Sequence, residues 1–184
     1  MRIVGGRLRG RGLAGPRSQA IRPTSDRLRE SLFNILVHAY DDPVSDARVL
    51  DLFAGTGTLA LEAMSRGAAF ALMVDDGAEA RALIRQNVEA LGLAATTRIF
   101  RRDATKLGTA HPLAPFSLVF LDPPYGRGLA VPALAAARAG GWLTPAALVV
   151  VEETADAPLP PLDGFAALDR RVYDDTAISF LRAA

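Results

Sequence analysis

The 184-residue sequence contains no cysteine, which excludes disulfides, thiolate metal ligands and a cysteine nucleophile. Histidine occurs only at His38 and His111, well separated in sequence, so no metal site is expected. Lys106 is the sole lysine, and arginine carries the rest of the positive charge. No apolar run reaches the roughly 20 residues that a membrane-spanning helix needs. The Ala- and Leu-rich stretch 129–143 is interrupted by Pro132 and Arg138. The N-terminus is basic with no apolar stretch behind it, which argues against a secretory leader. These absences predict a cytoplasmic protein with no membrane partner.

What charge there is lies unevenly. Residues 1–30 hold eight arginines against Asp26 and Glu30, a net +6, while the remainder of the chain is −5. A basic arm on an acidic body points to an anionic partner met at one end, with nucleic acid the leading candidate. Arg2, Arg7, Arg9, Arg11, Arg22 and Arg27 are the candidate contacts. Arginine suits phosphate forks and base stacking better than lysine does.

The organisation follows from hydrophobic period and turn residues. Residues 2–13 read as short strands broken by glycine turns, a small hairpin. Thr24 or Ser25 can cap a helix with Leu28, Leu32, Ile35, Leu36 and Ala39 on one face, ended by Asp41-Asp42-Pro43. From residue 48, strands at 48–53, 69–75, 96–102, 116–122 and 147–153 alternate with helices, one of them stopped at Gly92. Continuous apolar strands of this kind belong to a parallel sheet covered on both faces. The end differs, because "ALDRRVY" and "TAISFLR" flank Asp174-Asp175 as an antiparallel hairpin. The fold class is therefore α/β, with an N-terminal extension (1–40) and a ligand-binding domain (41–184).

After the first of these strands comes "DLFAGTGTLALEA". Gly55 and Gly57 permit a tight turn and close approach of backbone to a ligand. The spacing Gly55-x-Gly57-x-x-Ala60, with Asp75 twenty residues beyond Gly55, also matches the dinucleotide fingerprint, so a nicotinamide- or flavin-dependent enzyme is a competitor. Asp51 opposes that competitor. A pyrophosphate seeks donors and positive charge, whereas a carboxylate at the turn favours a cation. S-adenosylmethionine carries an ammonium and a sulfonium and no phosphate. Asp75 would then accept from its ribose hydroxyls, and Asp103 after the third strand would take the adenine amine.

The fourth strand ends in "LVFLDPPYGRG" (118–128). In a doubly wound sheet this end faces the same crevice as the glycine loop. An exocyclic amine of a nucleobase is a poor nucleophile, because its lone pair is delocalised into the ring. Two acceptors on its N–H groups turn that lone pair towards a methyl donor. The Asp122 carboxylate and the Pro123 carbonyl are placed for this, with Pro123 and Pro124 fixing the turn and Tyr125 offering a face for stacking. Asp-Pro-Pro-Tyr by itself does not distinguish guanine from adenine.

These motifs, together with "MRIVGGRLRGRGL", "RPTSDRLRESLFNIL" (22–36), "VLDLFAGTGTLALEAMSRGA" (49–68), "GWLTPAALVVVEE" (141–153) and "YDDTAISF" (173–180), resemble the bacterial 16S ribosomal RNA guanine-N2 methyltransferases of the RsmD type. The likeness covers essentially the whole chain. It implies a Rossmann-like class I methyltransferase with a mostly parallel seven-stranded sheet and an antiparallel C-terminal hairpin. It also implies S-adenosylmethionine as cofactor, held by Asp51, Phe53, Ala54, Gly55, Thr56, Gly57, Asp75, Asp76, Asp103 and Ala104. Asp122, Pro123, Pro124 and Tyr125 would form the methyl-transfer site. The basic hairpin and the Arg22–Arg27 region would meet 16S ribosomal RNA in the small subunit or an assembly intermediate, with the protein acting as a monomer. One departure is that the family often has glutamate at the end of the second strand and an acid two residues on. Here they are Asp75 and Gly77, and Asp76 stands ready to share the ribose contact. The alternatives kept open are an adenine-N6 methyltransferase and a non-catalytic RNA-binding module.

Overall fold

A computed structural model of the chain describes residues 1–19, 21 and 23–184. Seven strands form one sheet: β1 (Arg48–Leu52), β2 (Phe70–Val74), β3 (Thr97–Phe100), β4 (Phe116–Leu121), β5 (Leu143–Thr154), β6 (Phe165–Tyr173) and β7 (Thr176–Ala183). Their order is β3-β2-β1-β4-β5-β7-β6. The pairs from β3 to β5 are parallel, and β7 is antiparallel to both β5 and β6. The helices are α1 (Asp26–Ala39), α2 (Thr58–Ser65), α3 (Ala78–Leu91) and α4 (Ala130–Ala139). Among the described residues no helix is long and apolar enough to cross a membrane.

Strand residues alternate between two cores, as the period of two requires. Val49, Met73, Leu118, Phe120 and Val150 pack under α1, α2 and α3. Leu50, Leu72, Val119 and Val149, which are mutual register partners, pack under α4 with Trp142 and Leu107. Trp142 is fully buried and its indole N–H donates to the Gly108 carbonyl at 2.8 Å, so its role is core packing.

The helix signals act as expected. Ser25 caps α1 by accepting from Leu28 N–H at 3.1 Å, and Gly92 closes α3 in the left-handed conformation at φ 69°. Strand β5 starts earlier than the sequence reading placed it. Phe116 N–H reaches back to the Trp142 carbonyl at 2.8 Å. The ladder is then interrupted where Pro145 has no N–H and Ala146 adopts φ 61°, and it resumes at Leu148.

The N-terminal hairpin is reduced to one antiparallel bridge, Arg2 with Gly12, because its backbone is committed to α2 as well as to itself. Arg7 N–H donates to the Ser65 carbonyl at 2.9 Å, and Leu8 N–H donates to Ser65 Oγ at 3.0 Å. A side chain on Gly6, which sits at φ 76°, would collide with that Ser65 carbonyl. Ile3, Leu8 and Leu13 enter the core shared with α1 and α2. Below them lies a buried ion pair. Arg29 and Glu62 are both 0% exposed, with Nε and Oε2 3.2 Å apart. Glu62 also accepts from Val4 N–H (3.0 Å), Gly5 N–H (2.8 Å) and Arg66 Nε (2.9 Å). Arg29 donates further to Asp26 Oδ1 (2.9 Å) and to the carbonyls of Thr24 (3.1 Å) and Arg2.

Candidate functional site

The carboxyl ends of β1, β2, β4 and β5 open into one crevice of about 1300 Å³, the place where a doubly wound sheet presents its ligands. Asp51, Phe53, Ala54, Gly55 and Thr56 line it from the first strand and its loop. Asp75 and Asp76 line it from the second, and Asp122, Pro123, Pro124 and Tyr125 from the fourth. Arg27 lies on its wall too.

The glycine loop is held from several sides. Phe53, Gly55 and Gly57 have φ of 59°, 61° and 78°. At Gly57 an added Cβ would meet Met73 Sδ at 3.0 Å and Ile84 Cγ1 at 3.3 Å, tight contacts that add to the strain a side chain meets at this positive φ. Gly57 is itself buried and lies beneath the crevice lining. The Asp75 carboxylate clamps two turns, accepting Gly55 N–H at 2.9 Å through Oδ2 and Gly77 N–H at 2.8 Å through Oδ1. The Thr56 carbonyl accepts from Asn87 Nδ2 at 3.0 Å, and Asn87 also pairs with both backbone groups of Ala14. The sequence reading passed over Asn87. Its signal was a polar residue among Leu83, Ile84, Val88 and Leu91 on the apolar face of α3.

Asp51 is 1% exposed, and its Oδ2 accepts Ala60 N–H from the first turn of α2 at 3.2 Å. Burial pushes its carboxyl up to about 8. The bond from Ala60 works against the rise, and the Asp75 charge adds to it. Asp103 is placed differently. It is exposed, and its Oδ1 takes the Thr105 N–H (2.9 Å) and hydroxyl (2.7 Å), capping a 3-10 turn over Ala104–Lys106. Those bonds hold its carboxyl below the ordinary value. Neither Asp103 nor Ala104 lines the crevice, and Ala104 is packed in the α4-side core.

At the end of β4, Pro123 is buried, Pro124 exposed and Tyr125 half-buried. The Tyr125 hydroxyl donates to Glu152 Oε1 at 3.1 Å and lies 3.4 Å from Thr176 Oγ1. Burial, reinforced by the charges of Glu152 and Asp122, pushes this phenol up to about 12, so it remains protonated. Glu152 also accepts the Thr24 hydroxyl at 3.1 Å. Glu152 and Glu153 end the fifth strand, where the sequence pattern allows one of them to border the crevice and favours solvent for both; both are drawn inward. Glu152 lines the crevice, and the 9%-exposed Glu153 accepts from Ser179 Oγ at 3.2 Å. Thr24, a candidate cap by sequence, belongs to the crevice wall instead, together with Ser25 and the β6–β7 turn.

Arg2, Arg7, Arg9 and Arg11 are exposed and lie outside the crevice lining. Arg2 sits 3.6 Å from Asp26, and Arg11 donates to the Ala90 carbonyl at 2.6 Å. Arg22 lies outside the described residues.

Known proteins share this arrangement. The family model described as conserved hypothetical protein 95 matches residues 1–182. Ribosomal RNA small subunit methyltransferase D of Escherichia coli (strain K12) is 40% identical over 171 residues, which span 92% of this chain and 83% of that protein. The solved structure of Escherichia coli YhhF matches with a TM-score of 0.83 and 34% identity, over 100% of this chain and 97% of the other. An RNA methyltransferase from Salinibacter ruber, solved in complex with S-adenosyl-L-homocysteine, shares the fold at a TM-score of 0.66 and 13% identity, over 88% of this chain and 94% of the other. The sheet order, the glycine loop, Asp-Pro-Pro-Tyr and these matches agree: the chain belongs to the ribosomal RNA small subunit methyltransferase D family and has the Rossmann-like methyltransferase fold.

Proposed function

We propose that this protein methylates the exocyclic N2 amine of one guanine in 16S ribosomal RNA. The observation that carries the reading is that Asp122-Pro123-Pro124-Tyr125 and the glycine loop with its buried Asp51 open into one crevice. The residues suit S-adenosylmethionine: a buried carboxylate for its ammonium, loop backbone for its amino-acid end, and Asp75 with Asp76 on the ribose side. When bound, the cofactor supplies an electrophilic methyl on a sulfonium. The chain's own part is positioning and electrostatics. Asp122 and the Pro123 carbonyl accept the two amine N–H groups and aim the nitrogen lone pair. Tyr125 stacks on the base. The amine is neutral and sheds its proton as the new bond forms, so no strong base is needed beforehand. Residues 1–40 serve as the RNA-contacting extension, with the exposed Arg7 and Arg9 and the crevice-wall Arg27 among the phosphate contacts. The protein works as a monomer in the cytoplasm, on the small subunit or an assembly intermediate.

The test uses labelled S-adenosylmethionine and small subunits from a strain lacking the gene, with nucleoside analysis of the RNA. Label is expected in N2-methylguanosine. Label in N6-methyladenosine would keep the chemistry and discard the base, and no label at all would reject the reading. In the same assay, replacing Arg7, Arg9 and Arg11 should flatten the dependence of RNA affinity on salt; an unchanged slope would remove the arm from the interface.

Asp51 makes cofactor affinity depend on pH. Below about 8 its carboxyl holds a proton, which must leave before an ammonium can pair with it. Affinity for S-adenosylhomocysteine should therefore climb up to about tenfold per pH unit from pH 6, and level off near 8 as Asp51 completes its ionisation. Calorimetric titration from pH 6 to 9 checks this. Asp51→Asn should bind weakly with the rising limb gone, and an unaltered profile would detach Asp51 from the ammonium. Stability of the free protein has the opposite sign. The unfolded Asp51 ionises near 3.8 and the folded one near 8, so this group's contribution falls as pH rises between those values.

A further inference from the structure

We infer that Glu152 is a specificity-determining residue that reads the Watson–Crick edge of the target base, accepting the N1–H of guanine while Asp122 holds the neighbouring N2 amine. The inference rests on the guanine reading above and adds to it the group that selects guanine. In the register of the parallel β4–β5 pair, Leu121 is matched with Val151. The next residue on each strand, Asp122 and Glu152, therefore leaves the sheet beside the other, on strands about 4.8 Å apart. Both line the crevice. Two hydroxyls set the orientation of Glu152 within it: Tyr125 donates to Oε1 from the stacking side, and Thr24 donates to Oε2 from the segment before α1. An ionised carboxylate accepts and cannot donate.

Two adjacent acceptors discriminate among bases. Along this edge guanine presents the N2 amine next to N1–H, donors at both positions. Adenine presents its N6 amine next to the bare lone pair of N1, and cytosine its N4 amine next to the lone pair of N3. A carboxylate opposite either lone pair is repelled and loses its partner. Sites built on a buried polar group reject the analogue that cannot satisfy it far more strongly than apolar pockets reject a change of size. Asp-Pro-Pro-Tyr supplies acceptors for any exocyclic amine, so the choice of guanine falls to the second carboxylate.

The probe is 16S ribosomal RNA carrying 2,6-diaminopurine at the methylated nucleotide, introduced by ligation and reconstituted into small subunits. This base keeps the N2 amine and replaces N1–H with a lone pair. The wild-type enzyme should prefer guanine by about 100-fold or more in kcat/KM. In Glu152→Gln, whose amide can donate to that lone pair, the preference should narrow by about tenfold or more, with S-adenosylhomocysteine affinity unchanged. Tyr125→Phe keeps the Glu152 carboxylate while removing the phenol bond to it, and should lower the rate while keeping the preference. An equal preference in Glu152→Gln and wild type overturns the inference. So does a wild-type enzyme that methylates the two bases alike, whatever the variant does. A wild-type enzyme that leaves guanine unmodified fails the earlier reading instead, and this inference with it.

Discussion

Asp122→Ala is expected to lower the single-turnover rate of methyl transfer by about 10²–10³-fold, the usual effect of removing one preorganised group aimed at the reacting centre. Affinity for S-adenosylhomocysteine should stay within about twofold, because the cofactor's contacts are assigned to the other side of the crevice. The split is informative because Asp122 is peripheral to the folded core. It is half-buried at the end of β4, where its N–H lies 3.5 Å from the Leu52 carbonyl, a backbone contact that alanine keeps. Asn keeps one carbonyl acceptor and should retain more activity than Ala, by about tenfold. Full turnover in Asp122→Ala would mean that the amine is held elsewhere, and would return the non-catalytic RNA-binding module to consideration.

The second large effect is on folding. Glu62→Ala should destabilise the protein by about 3–5 kcal/mol, since it takes the fully buried partner from Arg29 Nε and leaves the guanidinium to the partly exposed Asp26 and two carbonyls. For a chain of this size that is a fall in Tm of about 6–20 °C. The loss should be felt first in the N-terminal arm, because Val4 and Gly5 lose their acceptor together. Hydrogen exchange across residues 1–13 should therefore rise more than exchange in the strands. Replacing both partners, Arg29→Met with Glu62→Met, should cost much less than Glu62→Ala, as apolar side chains need no compensation. A fall in stability below about 1 kcal/mol for Glu62→Ala would show that water or the Asp26 carboxylate takes over the pairing of Arg29. Since the arm carries Arg7, Arg9 and Arg11, the same substitution should weaken RNA binding without touching the crevice.

Both predictions start from residues that differ in how visible they were beforehand. Asp122 was legible. An acid that ends an apolar strand and precedes two prolines has few uses in a core, and the strand's place beside β1 put it at the crevice. Asp51 and Gly57 were legible for a related reason. A glycine forced to positive φ between a strand and a helix leaves a mark on the sequence itself, and the close Met73 and Ile84 contacts add to the strain that any other residue meets there. Ser25 and Gly92 were equally readable, because a cap is decided by the few backbone groups next to it. The strand alternation that assigns Leu50 to one core and Val49 to the other follows from the backbone period alone.

Glu62 was not legible, and neither were Arg29, Asn87 and Glu152. The first three were ordinary polar residues on helices that went unremarked, and Glu152 was one of two strand-end glutamates of which either could border the crevice, with solvent the favoured reading. Asp103 illustrates the reverse: an acid after a strand end, resembling Asp75 in sequence, that turns to cap its own 3-10 turn. In this chain, then, the sequence by itself determined the strands and helices, the glycine loop and the place of Asp-Pro-Pro-Tyr at the end of β4. These depend on steric limits, period and bonds between near neighbours. Only the tertiary structure decided that Glu62 answers Arg29 across 33 residues, that Asn87 ties the glycine loop to Ala14, and that Glu152 faces Tyr125 rather than water. Those pairings arise where separate elements meet, and the cost of leaving a buried polar group unpaired selects them only once burial has occurred.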